Sequence, residues 1–437
     1  MKVKVNLFCI LIFISLSLIL QTEAHSQNKT GDEKTYFLKP ARVFDGTDMH
    51  EGWAVIVKGN KITETGLANK LKIPPGAEVI QLDNTTLLPG FIEGHSHLFL
   101  HPYNETSWDD QVLKESPALR VARATIHAKN TLMAGFTTVR DLGTEGAGYD
   151  DVGLKQAIEE GIIPGPRMLV ATRAIVATGT YGPKGFTPNA EIPLGAEEAD
   201  GVDNLIKVVR NQIGKGADLI KVYADYRWGS NNEAQPTFSQ EELKLIVETT
   251  KSSGRPVVAH ASTVEGMKRA ILAGVETIEH GDEGTVEVFR LMQQKGVALC
   301  PTLAAGDAVL QYRGWRKGID PEPERLINKK KSFRDALNTG VKICFGGDVG
   351  VFSHGDNARE MELMVEYGMK PIDVLKSATT INAQVFHLSD KLGKISSGFL
   401  ADLVVVEGNP SIDISAVRKI KLVMKDGEIY KNEEIGK

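Results

Sequence analysis

Cysteine is scarce, with three in 437 residues. That excludes a disulfide-rich scaffold and a cysteine-based zinc or iron–sulfur site. A cationic surplus is also missing. Lys and Arg number 51 against 56 Asp and Glu, and no basic run is longer than Lys329–Lys331, which argues against a nucleic-acid partner. No G-x-G-x-x-G follows an apolar run, so nothing supports a dinucleotide-binding open sheet. Past residue 24 no apolar stretch is long enough to span a bilayer.

The one long apolar run is at the start. Lys2 and Lys4 precede Val5–Leu20, and Gln21-Thr22-Glu23-Ala24 follows. A charged start, an apolar stretch and a small residue at its end read as a signal peptide over residues 1–24. An uncleaved anchor is the alternative, but the run falls short of the about 20 residues a span needs. Cleavage implies a secreted or periplasmic protein with no stable membrane span. Cys300 and Cys344 then remain, either paired or as buried free thiols.

From Leu119 to Gly347 one unit recurs: an amphipathic segment, a glycine, and a short apolar run ending in a polar residue. Gly135, Gly216, Gly254, Gly274, Gly296 and Gly340 precede such runs. Glycine just past a helix is the expected stop, because it takes positive φ at little cost. The runs after these glycines, with Thr86–Gly94 and Arg167–Thr172, make eight strands. Eight βα units in this length predict an α/β protein with a (β/α)₈ TIM barrel. The ends of the chain carry short strand-like pieces too small for separate cores. They predict a composite β-sandwich from residues 34–88 and 392–437 around a barrel at 89–391.

Function in such barrels gathers at the C-terminal ends of the strands. Strand 1 ends in Gly94-His95-Ser96-His97, strand 4 carries Lys221 and Tyr223, strand 5 ends in His260, strand 6 in His280, and strand 8 in Gly346-Gly347-Asp348. Residues two apart on a strand share a face, so His95 and His97 can both point inward. Singly, each has an ordinary structural explanation. Jointly, four imidazoles and a carboxylate suit a divalent ion, Zn²⁺ first, then Fe, Mn, Co or Ni. Lys221 is the informative addition, because a protonated ammonium cannot ligate a cation. Two roles are open to a neutral amine there: a carbamate formed with CO₂, or a Schiff base. The second would not need four surrounding histidines.

The segments Pro89–His97, Gly135–Asp141, Ile220–Tyr223, Ala259–Ala261, Ile278–Gly281, Gly346–Asp348 and Gly398–Val404 together resemble the amidohydrolase superfamily. The resemblance covers the chain from about Lys39 onward and is to the imidazolonepropionase-like and Xaa-Pro dipeptidase-like branch. It implies His95, His97 and Asp348 on a first metal, His260 and His280 on a second, and a carboxylated Lys221 as the bridge. Single-metal imidazolonepropionases lack that lysine, so Lys221 points to two metals. The chemistry expected is attack by a metal-bridging hydroxide, with Asp348 as general acid and base and Tyr223 donating to the oxyanion.

The expected substrate is a dipeptide, Xaa-Pro included, or an N-acyl amino acid. The alternative is a cyclic amide, a carbamate or an ester. A binding protein on an inactive barrel would lack ligands, and none of the six is missing. Relatives often carry Gly-Gly-His-Gly in the loop after strand 3, where this chain has Thr180-Tyr181-Gly182. Tyr181, His354 and Arg140 are the substrate-contact candidates. For Arg140 the competing role is an ion pair with Asp141 or another barrel acid. For His354 it is loop structure. Self-association into a homo-oligomer is compatible with the sequence.

Overall fold

A computed structural model describes residues 33–433. The leader expected at residues 1–24 lies outside the described residues. Among those described, no helix is long and apolar enough to cross a membrane.

The six repeat glycines all take positive φ, from 72° to 108°, at or just past a helix end. The helices are amphipathic. Gln240–Lys251 begins with a capping box between Ser239 and Glu242 and buries Leu243, Ile246, Val247 and Thr250, the spacing of one helix face.

The N-terminal strands are β1 (Thr35–Phe44), β2 (Met49–Glu51), β3 (Trp53–Lys58), β4 (Lys61–Leu67) and β5 (Glu78–Pro89). Next come β6 (Phe91–Ser96), β7 (Phe136–Asp141), β8 (Arg167–Val170), β9 (Ile175–Val176), β10 (Glu197–Glu198), β11 (Ile220–Tyr223), β12 (Asp225–Arg227), β13 (Ala234–Pro236), β14 (Val257–Ala261), β15 (Thr277–His280) and β16 (Ala298–Cys300). The last are β17 (Leu403–Glu407), β18 (Ile420–Lys425) and β19 (Glu428–Asn432).

The middle strands build the TIM barrel in two parallel arcs, β6-β7-β8 and β10-β9-β11-β14-β15-β16. They meet at the third strand, which is split. Thr172, at φ 61°, separates β8 from β9, and the Asp218 amide bonds the Val170 carbonyl across the seam. The expected eighth strand is not regular. The chain at 341–349 closes the ring through isolated bridges, Leu299 to Ile343 and Ser96 to Val349. The reason is Gly346-Gly347. A Cβ on Gly346 would lie 2.5 Å from Cys300 Sγ and 2.8 Å from the His95 amide nitrogen, so the chain crosses too closely for an ordinary ladder. Cys300 and Cys344 are both buried free thiols.

The ends of the chain come together in one small β-domain, an eight-stranded ladder ordered β19-β18-β17-β5-β1-β3-β4 with β2 on β1. One long strand explains this. β5 runs parallel to β1 along most of its length and antiparallel to β17 at its end, joining both chain ends in a single ladder. The sheet has its own core, including Val55, Leu82, Leu87, Val405 and Leu422.

Two glycine substitutions test this packing. Gly346→Ala is expected to destabilise by about 1–3 kcal/mol or more. Gly153→Ala, in an open position of helix Asp150–Glu159, is expected to stabilise by about 0.5–1 kcal/mol. Denaturant unfolding of both variants gives the comparison.

Candidate active site

The strand ends bring His95, His97, Tyr223, His260, His280 and Asp348 to one cavity of about 910 Å³, a size suited to a small molecule. Lys221 lies beneath it, fully buried. Neighbouring strands set the register: Tyr223 stands opposite His260 and His260 opposite Glu279. Consecutive residues on a strand face opposite sides. Glu279 and His280 serve the same interior because His280 leaves strand geometry at φ 76°.

The imidazoles are held from behind. His95 Nδ1 donates to Glu279 Oε2 at 2.9 Å and His97 Nδ1 to the Gly143 carbonyl at 2.8 Å. His280 Nδ1 meets Thr302 Oγ1 at 2.7 Å. Such contacts fix the ring and leave Nε2 as the free ligand atom. Asp348 Oδ1 lies 3.6 Å from His95 Nε2 and 3.4 Å from His97 Nε2. Ligands about 2 Å from one tetrahedral Zn²⁺ stand about 3.3 Å apart, so these three donors fit a shared ion. The His260 ring is 4.4 Å from His280 and 4.5 Å from Tyr223, on which it stacks.

Burial sets the protonation states. It holds His95 and His280 far below the ordinary imidazole range and His260 down at about 3, with the Lys221 charge adding to the effect on all three. Neutral imidazoles are the form that binds metal. Burial likewise lowers the Lys221 ammonium, against the pull of Glu279 and Asp348. Its Nζ has no hydrogen-bond partner among the described residues. A buried amine with nothing to bond is the feature a metal-bridging carbamate would satisfy.

Two substrate-contact candidates are placed elsewhere. Arg140 is 3% exposed, and its guanidinium bonds the Gly94 carbonyl, Thr277 Oγ1 and Glu279 Oε1. It pairs with a barrel acid, as its competing role expects, because a buried cation needs a carboxylate. His354 is buried against His127, with ring centres 4.3 Å apart, and its Nε2 meets the Leu100 carbonyl at 3.0 Å. These contacts match its loop-structure alternative, and it is not among the residues that line the cavity. Tyr181 does line the cavity, where its hydroxyl donates to Glu145 Oε2 at 2.5 Å.

Sequence reasoning passed over three acids. Glu279 has a sequence signal, a charge inside an apolar strand. Glu93 accepts from the amides of His95 and Gly347 and from Asn357 Nδ2, and burial raises its carboxyl to about 7. Glu145 lies in the loop after β7, among Gly143, Gly146 and Gly148, and lines the cavity.

A TIM barrel whose strand ends gather imidazoles, a carboxylate and a buried lysine defines a metal-dependent barrel hydrolase. Residues 86–430 match the Amidohydrolase family model. The chain belongs to that family and is a hydrolase of carbon–nitrogen amide bonds. It is 31% identical over 383 residues to ochratoxinase from Aspergillus niger, covering 80% of this chain and 76% of that protein. A solved Xaa-Pro dipeptidase with methionine in its active site superposes with a TM-score of 0.81 at 32% identity, covering 91% of this chain and all of that one. A prolidase complexed with N-methylphosphonate-L-proline superposes with a TM-score of 0.79 at 28% identity, covering 92% and 100%.

Glu279→Gln tests the support behind His95. Leaving Arg140 buried without its carboxylate is expected to cost about 3–5 kcal/mol, read by denaturant unfolding. Loss of the anchor on His95 is expected to weaken metal binding about 10–100-fold, read by titration in a metal buffer.

Proposed function

We propose that the protein is a two-metal amidohydrolase acting on a dipeptide, Xaa-Pro included, or an N-acyl amino acid. The observation that carries this reading is Lys221, a buried amine with no hydrogen-bond partner among the described residues, on the strand that carries Tyr223 to the cavity. A neutral amine reacts with CO₂ to give a carbamate, whose two oxygens can each meet a cation. His95, His97 and Asp348 would hold one ion, His260 and His280 the other, with carboxylated Lys221 between. Zinc suits these donors. When bound, the metals supply Lewis acidity and an activated water at neutral pH.

The chain's own groups then do the following. Asp348, at φ 61° above the Gly346-Gly347 turn, takes a proton from the attacking water and passes it to the leaving nitrogen. Burial first, and the Glu145 charge next, keep the Tyr223 hydroxyl protonated. It donates to the oxygen that gains charge as the amide carbon becomes tetrahedral. The substrate class is supported by the named dipeptidase and prolidase likenesses and by the cavity volume. The order of charged, apolar and small residues in 1–24 supports export to a secreted or periplasmic location.

Chelation is expected to abolish turnover of dipeptide and N-acyl amino acid pools, and zinc to restore it. Lys221→Ala is expected to bind fewer than two ions by elemental analysis. Asp348→Asn is expected to lower kcat by roughly 10²–10⁴. Turnover without metal, or Lys221→Ala with two ions and full rate, contradicts the reading.

A further inference from the structure

We infer that Glu145 receives the free ammonium of the substrate and so selects dipeptides over N-acyl amino acids; this rests on the amide-hydrolase reading above. Glu145 is 3% exposed and lines the cavity. Its two oxygens differ. Oε2 accepts from Trp108 Nε1 at 2.9 Å and from the Tyr181 hydroxyl at 2.5 Å. Oε1 is buried and has no partner among the described residues. Arg120, a fully buried cation beside it, does not fill that role. Its guanidinium bonds the carbonyls of Phe99, Thr144 and Glu145, which fixes the loop and leaves Oε1 without a donor. A buried carboxylate with an open acceptor is costly unless a cation completes it.

Position and surroundings name the cation. A point beside Gly143, where a Cβ would stand, is 3.4 Å from Glu145 Oε1 and 3.7 Å from the His97 ring carbon Cε1. The carboxylate is therefore a neighbour of the metal-competent histidines. Yet it is not one of the donors that gather with His95, His97 and Asp348. In a dipeptide the α-amine is two bonds from the scissile carbonyl carbon, so its acceptor must sit this close to the reacting centre. The amine carries charge at neutral pH, since its pKa is about 8. The Tyr181 ring lies within 5.2 Å of Trp108, Tyr223 and Tyr226, all lining the same cavity. Aromatic faces beside a carboxylate suit an organic ammonium. An N-acyl amino acid brings no cation and would leave Oε1 unpaired.

The test compares methionyl-proline with methylthiobutanoyl-proline, which lacks only the amine, on the zinc-loaded full chain. The readout is the ratio of kcat/KM values. Wild type is expected to prefer the amine. Glu145→Gln, which keeps acceptance from Trp108 and Tyr181, is expected to lower that ratio about 10–100-fold. Glu145→Asp is expected to retain most of it. An unchanged ratio in Glu145→Gln, including an equal loss on both substrates, overturns the inference. Calorimetry of wild type with methionine and with methylthiobutanoate decides independently of variant folding and of turnover. Tighter binding of methionine supports the inference, and equal affinity overturns it. If wild type hydrolyses neither compound, the proposed dipeptide and N-acyl amino acid substrate class fails, and the calorimetric comparison still rules on Glu145.

Discussion

One buried carboxylate, that of Glu279, ties three barrel strands together below the cavity. It accepts from Arg140 on β7 and from Thr277 on its own strand, and it anchors His95 beyond β6's midpoint. A buried ion pair is tolerable only when its other hydrogen-bonding groups are satisfied. Here Arg140 also bonds the Gly94 carbonyl and Thr277 and lies over the Phe386 ring at 4.2 Å. The outcome is a fixed His95 ring. Glu93, on β6 itself, repeats the device, accepting from the amides of His95 and Gly347.

The cavity also stores backbone strain. Glu145, His280, Thr302 and Asp348 all have positive φ and all line it. Each such residue costs of order 1–3 kcal/mol and persists only where its surroundings over-determine it. For His280 those surroundings are Thr302 at its ring and Lys329 Nζ at its carbonyl, 2.7 Å away. For Asp348 they are the two glycines before it and the Glu93 clamp on Gly347. For His280 the strain turns inward a side chain that a regular strand would have turned out.

What the sequence made legible follows from local physics. Glycine after an amphipathic segment can only be a helix stop, so six of them mark the βα rhythm and the barrel. Polar residues ending apolar runs mark the cavity mouth, so the convergence of His95, His97, His260, His280 and Asp348 could be read. Long-range partners could not. Nothing local says that Arg140 meets Glu279, 139 residues away, or that His354 stacks on His127. Nor does periodicity show that Gly346 passes too near Cys300 for a regular eighth strand, or that β5 is long enough to fuse both chain ends into one sheet. Glu145 was hidden because an acid in a glycine-rich loop looks like ordinary solvated turn chemistry until its burial is known.

The proposed chemistry depends on a pair of metals bridged through Lys221. Anomalous diffraction at the zinc edge, on crystals grown with zinc and bicarbonate, tests it most directly. Two anomalous peaks are expected, one among His95, His97 and Asp348 and one between His260 and His280, with carbamate density on Lys221 Nζ reaching both. A single peak, or a bare Lys221 amine beside bound metal, would contradict it.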